Sequence, residues 1–359
     1  MTDDPSFDPT FRSPVLTSLL SPSRLPRLAR RLRIAAAALI LAGGSTLAHA
    51  ALFSSLFVFG DSLSDSGNNA VVLSGLGVPP TAVPIADNTF IPSAPYASGR
   101  YTDGPVWAET FASHFGLSAA PSLLGGTDFA FGGARTGPAG GPVFPASLSD
   151  QVNAFLLGAG GAAPSDALYV IAGGGNNARD ALTAIALGAD PFATILSTVA
   201  GFVTDTVTMV SQLMAAGADD IVVWTAPNVG VTPAVQAMGP VAVGLATTLA
   251  NAMNGALVAA LDPIADVRIF DLAGLIAQAV AAPLDFGFAN VSDACAANIA
   301  TCDPSSWLFW DGIHPTSGGH AMLAQAMVSL VPEPGSLALI ALALGPALMI
   351  TRRRTMQRQ

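Results

Sequence analysis

Ser62 stands just past the apolar run 56–59, within Gly60-Asp61-Ser62-Leu63-Ser64-Asp65. Far downstream, Asp311 precedes His314 by three positions in Trp310-Asp311-Gly312-Ile313-His314-Pro315. A serine hydroxyl attacks a carbonyl poorly at neutral pH unless a base takes its proton, and that base must itself be held in one tautomer. These residue types supply nucleophile, base and orienting carboxylate. With aspartate and histidine in one short loop, a single segment brings base and orienter together. The expected chemistry is nucleophilic acyl transfer through Ser62.

Such residues need a scaffold that carries them to one place. Four short apolar runs, 56–59, 168–171, 221–224 and 267–270, read as buried strands. Longer amphipathic stretches separate them. Over 194–214, Ile195, Val199, Phe202, Val203, Val210 and Leu213 share one helical face, and Thr204, Thr208 and Ser211 lie opposite. A second helical stretch covers about 241–261. Strands alternating with helices predict a parallel sheet covered on both faces. Chemistry in such a sheet gathers where strands end, and Ser62, Asn176 and Asn228 follow the first three strands. The linking segments 73–103, 137–145 and 281–308 are long and rich in Pro and Gly, and loops of that length are functional or disordered more often than not.

Both ends of the 359-residue chain read differently from its middle. Arg24 to Arg33 form a basic region, an apolar run over 34–41 follows, and Ala48-His49-Ala50 closes it. That pattern predicts a signal peptide cleaved after Ala50, preceded by a Pro- and Ser-rich extension. The other end reads Pro332-Glu333-Pro334, a nearly unbroken apolar run over 337–350, then Arg352-Arg353-Arg354. It is short for a membrane span, with arginines that would stay cytoplasmic. One reading is a plain membrane anchor. The other is that it resembles the PEP-CTERM sorting signal, which implies an exosortase as partner and a Gram-negative exopolysaccharide producer. On either reading, export machinery carries the chain across the inner membrane, toward the cell surface, outer envelope or extracellular matrix. The expected division is therefore 1–50, a single domain over 51–330, and a sorting segment over 331–359.

Between the ends, four arginines (Arg100, Arg135, Arg179, Arg268) face twenty acidic residues, a net charge of −16, and the chain has no lysine. Such a surface repels phosphate backbones, which argues against nucleic acid as a partner. Cys295 and Cys302 are the only cysteines. In an exported protein they predict a disulfide, and without a nearby histidine pair they make a poor metal site.

The chain lacks the Gly-x-Ser-x-Gly elbow of α/β-hydrolases. Instead, four motifs in order resemble the GDSL, or SGNH, family of esterases and lipases over nearly all of 55–330. They are Gly60-Asp61-Ser62-Leu63-Ser64-Asp65, Asp128-Phe129-Ala130-Phe131-Gly132-Gly133-Ala134, Gly174-Gly175-Asn176-Asn177 and Asp311-Gly312-Ile313-His314. The resemblance implies a flavodoxin-like three-layer α/β/α sandwich with a central parallel sheet. It also implies carboxylic ester hydrolysis through an acyl-enzyme, with no metal or cofactor. Ser62 is its implied nucleophile, and the implied oxyanion donors are the Ser62 N–H, a glycine N–H (Gly132 or Gly133) and the Asn176 amide. A second register of the glycine run makes Asn177 the donor instead. Where the family has Asn and Asp, this chain has Asp128 and Asn177.

Asp61 and Asp65 are expected to shape the turn rather than react. His114, in a helical run, and His320, opening the last helix, are expected in surface or packing roles. Segments 98–107 and 226–233 also match the family and should frame the site. Trp307, Phe309 and Trp310 could line an acyl pocket or belong to the core. The substrate is left open between short or O-acetyl esters and lipids. The rival reading is a surface matrix protein that binds glycan without turnover, and nothing in the chain bears on oligomeric state.

Overall fold

A computed structural model describes residues 53–75, 99–138 and 144–331. The expected signal peptide, the sorting segment beyond Val331 and parts of the long segments 73–103 and 137–145 lie outside the described residues.

Four parallel strands form the central sheet in the order β1 (Leu56–Gly60), β2 (Leu168–Ala172), β3 (Asp220–Trp224) and β4 (Val267–Phe270). Each pairs with the next in sequence, with Phe57 opposite Tyr169 and Ile221 opposite Val267. Residues 127–131 run along the free edge of β1. Phe129 donates to the Val58 carbonyl at 2.8 Å and Phe131 to that of Gly60 at 3.1 Å. The glycines that follow are thereby delivered beside the C-terminal end of β1.

Parallel strands need crossovers, and helices supply them. In chain order they are α1 (Asn68–Gly75), α2 (Trp107–His114), α3 (Leu148–Gly158), α4 (Gly175–Ala186), α5 (Pro191–Ala215), α6 (Pro233–Ala237), α7 (Pro240–Leu261), α8 (Leu272–Ala281) and α9 (Ser317–Leu330). Side chains alternate across the sheet with period two. Phe59, Tyr169, Ile171 and Val223 face α3, α4, α5 and α7. Leu56, Val58, Val170 and Trp224 face α2, α8 and α9. Two cores on opposite faces of one parallel sheet make an α/β/α sandwich, the architecture expected.

Aromatic side chains dominate both cores. Phe57, Phe59, Phe129 and Tyr169 surround Phe155 at centroid distances of 4.6–5.8 Å, so truncating Phe155 to Ala would cost about 3–5 kcal/mol. Across the sheet, Trp224 lies 4.4 Å from Trp107 and 4.6 Å from Phe270.

Helices α5 and α7 are long and apolar enough to cross a bilayer. In the fold they lie on the sheet through Phe202, Met209 and Leu213 of α5 and Leu249, Met253 and Leu257 of α7, while Thr204, Thr208 and Ser211 are exposed. Asp190 accepts the Ala193 N–H at 2.8 Å and Pro191 opens the first turn, which sets where α5 begins.

The stretch 281–308, read from sequence as a linker, holds a second sheet. Strands β5 (Asn290–Ala294) and β6 (Trp307–Phe309) pair in parallel. At five and three residues, with β5 largely polar, these strands are too short to display an alternation. Cys295 and Cys302 are disulfide-bonded between them, with Cα atoms 5.3 Å apart.

Candidate active site

The turn after β1 places Ser62 at the C-terminal edge of the sheet. Gly60 is required there, because a Cβ would lie 2.8 Å from Ser64 Oγ and 2.9 Å from the Ala172 carbonyl. Gln151 of α3 grips the same residue at both ends, accepting its N–H at 2.8 Å and donating to its carbonyl at 2.9 Å. Asp61 accepts the Leu63 N–H at 3.1 Å on its carboxylate, and its carbonyl accepts those of Ser64 and Asp65 at 3.0 Å. Burial pushes its carboxyl up to about 6, against the Leu63 N–H and the nearby His314 and Arg179.

Residues Ser62 and His314, 252 positions apart, meet at 2.7 Å between Oγ and Nε2. His314 Nδ1 lies 2.6 Å from Asp311 Oδ2. The other carboxylate oxygen of Asp311 accepts the backbone N–H groups of Ile313 (2.7 Å) and His314 (2.6 Å), which fixes the carboxylate. With Nδ1–H donating to Asp311, Nε2 is left to accept the serine proton. All three side chains are buried. The array can pass a proton from Ser62 to His314 while Asp311 steadies the resulting imidazolium.

The segment from Tyr101 to Asp103 pins this loop. Thr102 Oγ1 donates to the Pro315 carbonyl at 2.9 Å, and Asp103 accepts from the N–H (2.7 Å) and hydroxyl (2.6 Å) of Ser317. Thr316 caps α9 by accepting the Gly319 N–H at 3.0 Å. Just past the second framing segment, the Ala234 N–H donates to the Gly312 carbonyl at 2.9 Å.

The two glycines of 132–133 part company here. Gly132 donates its N–H to Asp65 Oδ2 at 2.9 Å, and its carbonyl accepts from Asn69 Nδ2 at 2.9 Å. A Cβ on Gly132 would run into the Tyr101 ring. Gly133, at φ +83°, has an N–H that meets no acceptor among the described residues, and the same holds for Ser62.

The two asparagines divide in the same way. Asn177 accepts the Thr136 N–H at 3.1 Å and donates to the Thr136 hydroxyl at 3.0 Å. Asn176, in the first turn of α4, donates one amide hydrogen to the Ala134 carbonyl at 3.0 Å and lines the cavity. Gly174 sets that turn with φ +105°, and a Cβ there would lie 2.7 Å from Phe202.

Buried carboxylates hold the neighbouring backbone. Asp65 accepts N–H groups from Gly67 (2.9 Å), Asn68 (2.7 Å) and Asn69 (3.3 Å) besides Gly132. Desolvation raises its carboxyl to about 6 in spite of them. Asp128 accepts from Ser66 and Ala130, both at 2.9 Å, and burial lifts it well above the usual carboxylate range.

A cavity of about 300 Å³ opens over Ser62, Gly132, Gly133, Asn176 and His314, walled by Asn69, Leu73, Tyr101, Arg135, Phe144, Pro145 and Arg179. Trp307, Phe309 and Trp310 do not line it. Phe309 belongs to the core, while Trp310 packs with Tyr101 and Cys295. Asn228 turns away, accepting from its own Gly230 N–H at 2.9 Å and contacting Thr247. His114 is exposed at the end of α2. His320 is buried and accepts the Trp107 N–H at 3.2 Å, and burial depresses it to about 3. Among the described residues no cluster of three His, Cys, Asp or Glu gathers as a metal site.

Tyr101 belongs to the framing segment 98–107, whereas Gln151, Asn69, Arg135 and Arg179 were given no place at the site from the sequence. Only the arginines carried a usable signal, as two of just four cations in an acidic stretch.

The fold and site together define a class: an α/β/α sandwich with a serine, a histidine and a carboxylate in hydrogen-bonded series at the C-terminal edge of its sheet. Residues 56–327 match the family model described as GDSL-like Lipase/Acylhydrolase, and the chain belongs to that family. It is 31% identical to Esterase EstA of Pseudomonas aeruginosa over 85% of this chain and 51% of that protein. The figures for Esterase EstA of Pseudomonas putida are the same, so the chain spans about half the length of these relatives. It is also 25% identical to a phosphatidylcholine-sterol acyltransferase of Aeromonas hydrophila, over 77% of this chain and 78% of that one.

Proposed function

We propose that this protein hydrolyses carboxylic esters through an acyl-enzyme formed on Ser62. The observation that carries this reading is the unbroken series Ser62 Oγ, His314 Nε2, His314 Nδ1 and Asp311 Oδ2, with steps of 2.7 and 2.6 Å, opening on a cavity. Membership of the family and the similarity to proteins named as an esterase and an acyltransferase support acyl chemistry.

In this reading His314 takes the Ser62 proton as Oγ attacks the ester carbonyl. The oxyanion is received by the N–H groups of Ser62 and Gly133 and by the free amide hydrogen of Asn176. Collapse expels the alcohol, protonated by His314. Water, activated by the same imidazole, then releases the acid and restores Ser62. Gly133 is preferred over Gly132 because the Gly132 N–H is already committed to Asp65. Export is part of the proposal, supported by the basic and apolar N-terminal pattern ending at Ala50 and by the paired cysteines. Sorting to the cell surface rests on the PEP-CTERM-like tail alone.

Turnover of p-nitrophenyl esters from acetate to palmitate, by the wild type and by Ser62→Ala, tests the reading. Hydrolysis should be lost in the variant while its fold is kept. Residual turnover near the wild-type rate in a folded Ser62→Ala protein would remove Ser62 as nucleophile.

A further inference from the structure

The arginines of this acidic domain are mostly neutralised. Arg100 pairs with Glu109, Arg268 with Asp220 at 3.0 Å, and Arg135 forms a fork with Asp180 at 2.7 and 2.8 Å. Arg179 is ion-paired to no carboxylate among the described residues. Its one hydrogen bond, from Nη1 to Asn176 Oδ1 at 3.2 Å, leaves most of the guanidinium donors unused. It stands on the same face of α4 as Asn176, three residues on, and lines the cavity that holds Ser62 and His314.

An uncommitted guanidinium beside a reacting carbonyl has a chemical meaning. A domain with a formal net charge of −16 repels anions, so an anionic ester needs a local cation to be held in the site. The planar fork of arginine matches carboxylate and phosphate oxygens. The bond to Asn176 engages one donor of Arg179; no carboxylate among the described residues claims the others, and the side chain is partly exposed. The buried carboxyl of Asp61 feels its charge without bonding to it.

We infer that Arg179 selects esters bearing an anionic group, a carboxylate or a phosphate, which it grips while the ester carbonyl rests at Ser62 and Asn176. This rests on the ester-hydrolase reading above and names the substrate class of that same site.

The test is the ratio of kcat/KM within matched pairs, for the wild type, Arg179→Gln and Arg179→Lys. 4-Acetoxybenzoate against its methyl ester places a carboxylate on the alcohol side. Monomethyl adipate against dimethyl adipate places one on the acyl side. 1-Acetylglycerol 3-phosphate against 1-acetylglycerol supplies a phosphate. The wild type should favour the anionic member of at least one pair. Arg179→Gln should lower that ratio by on the order of 10- to 100-fold, the worth of a hydrogen bond to a charged group, and Arg179→Lys should keep much of it. A wild-type ratio of one or less in all three pairs overturns the inference, as does a ratio that Arg179→Gln leaves unchanged. An equal fall on both members makes Arg179 a positioning group for Asn176 and overturns it too. Absence of Ser62-dependent turnover on the neutral esters as well would instead remove the hydrolase reading beneath it.

Discussion

Asp65 Oδ2 accepts the Gly132 N–H at 2.9 Å across 67 residues of sequence, tying the nucleophile turn to the glycine turn. The same carboxylate holds three N–H groups at the start of α1. It thereby fixes the spacing between Ser62 and Gly133 and occupies the one glycine N–H that would otherwise compete. Replacing Asp65 with Ala leaves four donors without their acceptor, a loss of about 3 kcal/mol or more. Urea unfolding should show that loss, and kcat should fall in the protein that remains folded. Asp65→Asn, which keeps an acceptor oxygen, should be milder on both counts.

Asp311→Asn retains the shape of the loop but offers His314 an amide instead of a carboxylate, so Nδ1–H loses the partner that sets its tautomer. A fall in kcat on the order of 10⁴-fold is expected with little change in KM. Steady-state kinetics beside thermal unfolding check it, and a loss below tenfold would show that Asp311 does not orient the base.

The two adjacent asparagines should separate cleanly. Asn176→Ala removes the amide facing the cavity and should lower kcat by on the order of 10²–10³-fold with modest effect on stability. Asn177→Ala removes both contacts to Thr136 and should cost about 1–3 kcal/mol of stability with a smaller change in kcat. The reverse pattern would place the donor at Asn177.

Stability should decline as pH rises from about 4 to 6. Asp61 and Asp65, raised from 3.8 to about 6, bind protons in the folded state that the unfolded chain has released. Their contribution is full below the unfolded value and is lost as pH climbs through the folded one, and Asp128 shares that direction. His320, lowered from 6.5 to about 3, opposes them over the same window, since the unfolded chain protonates it first. Three carboxyls outweigh one imidazole, so unfolding free energy should be higher at pH 5 than at pH 6.5, by on the order of 1 kcal/mol or more. Denaturant melts at the two pH values test this, and a higher value at pH 6.5 would contradict the burial of these carboxyls.

Much of the scaffold was legible in the chain. The apolar runs at 56–59, 168–171, 221–224 and 267–270 lie within one residue of the four strands, because parallel strands covered on both faces are written as largely apolar segments, although edge strand β4 is only half-buried and contains Arg268. The one-sided stripe from Ile195 to Leu213 marked α5 for a similar reason. By contrast β5 and β6 were missed, since three to five residues with polar members carry no readable period.

The types of the reactive residues, and the segments that hold them, were set by the sequence alone: Ser62 after β1, Asp311 and His314 in one loop, glycines at 132–133 and asparagines at 176–177. Which member of each repeated pair keeps an untaken donor at the cavity was not. Gly132 and Gly133 are equally small, and Asn176 and Asn177 equally polar, so local chemistry cannot rank them. Contacts far along the chain do so. Asp65 claims one glycine, Thr136 claims one asparagine, and Tyr101 closes over the remaining wall. A backbone donor or side-chain amide is available to a ligand only when no other group has taken it, and that is known only once distant segments are packed together.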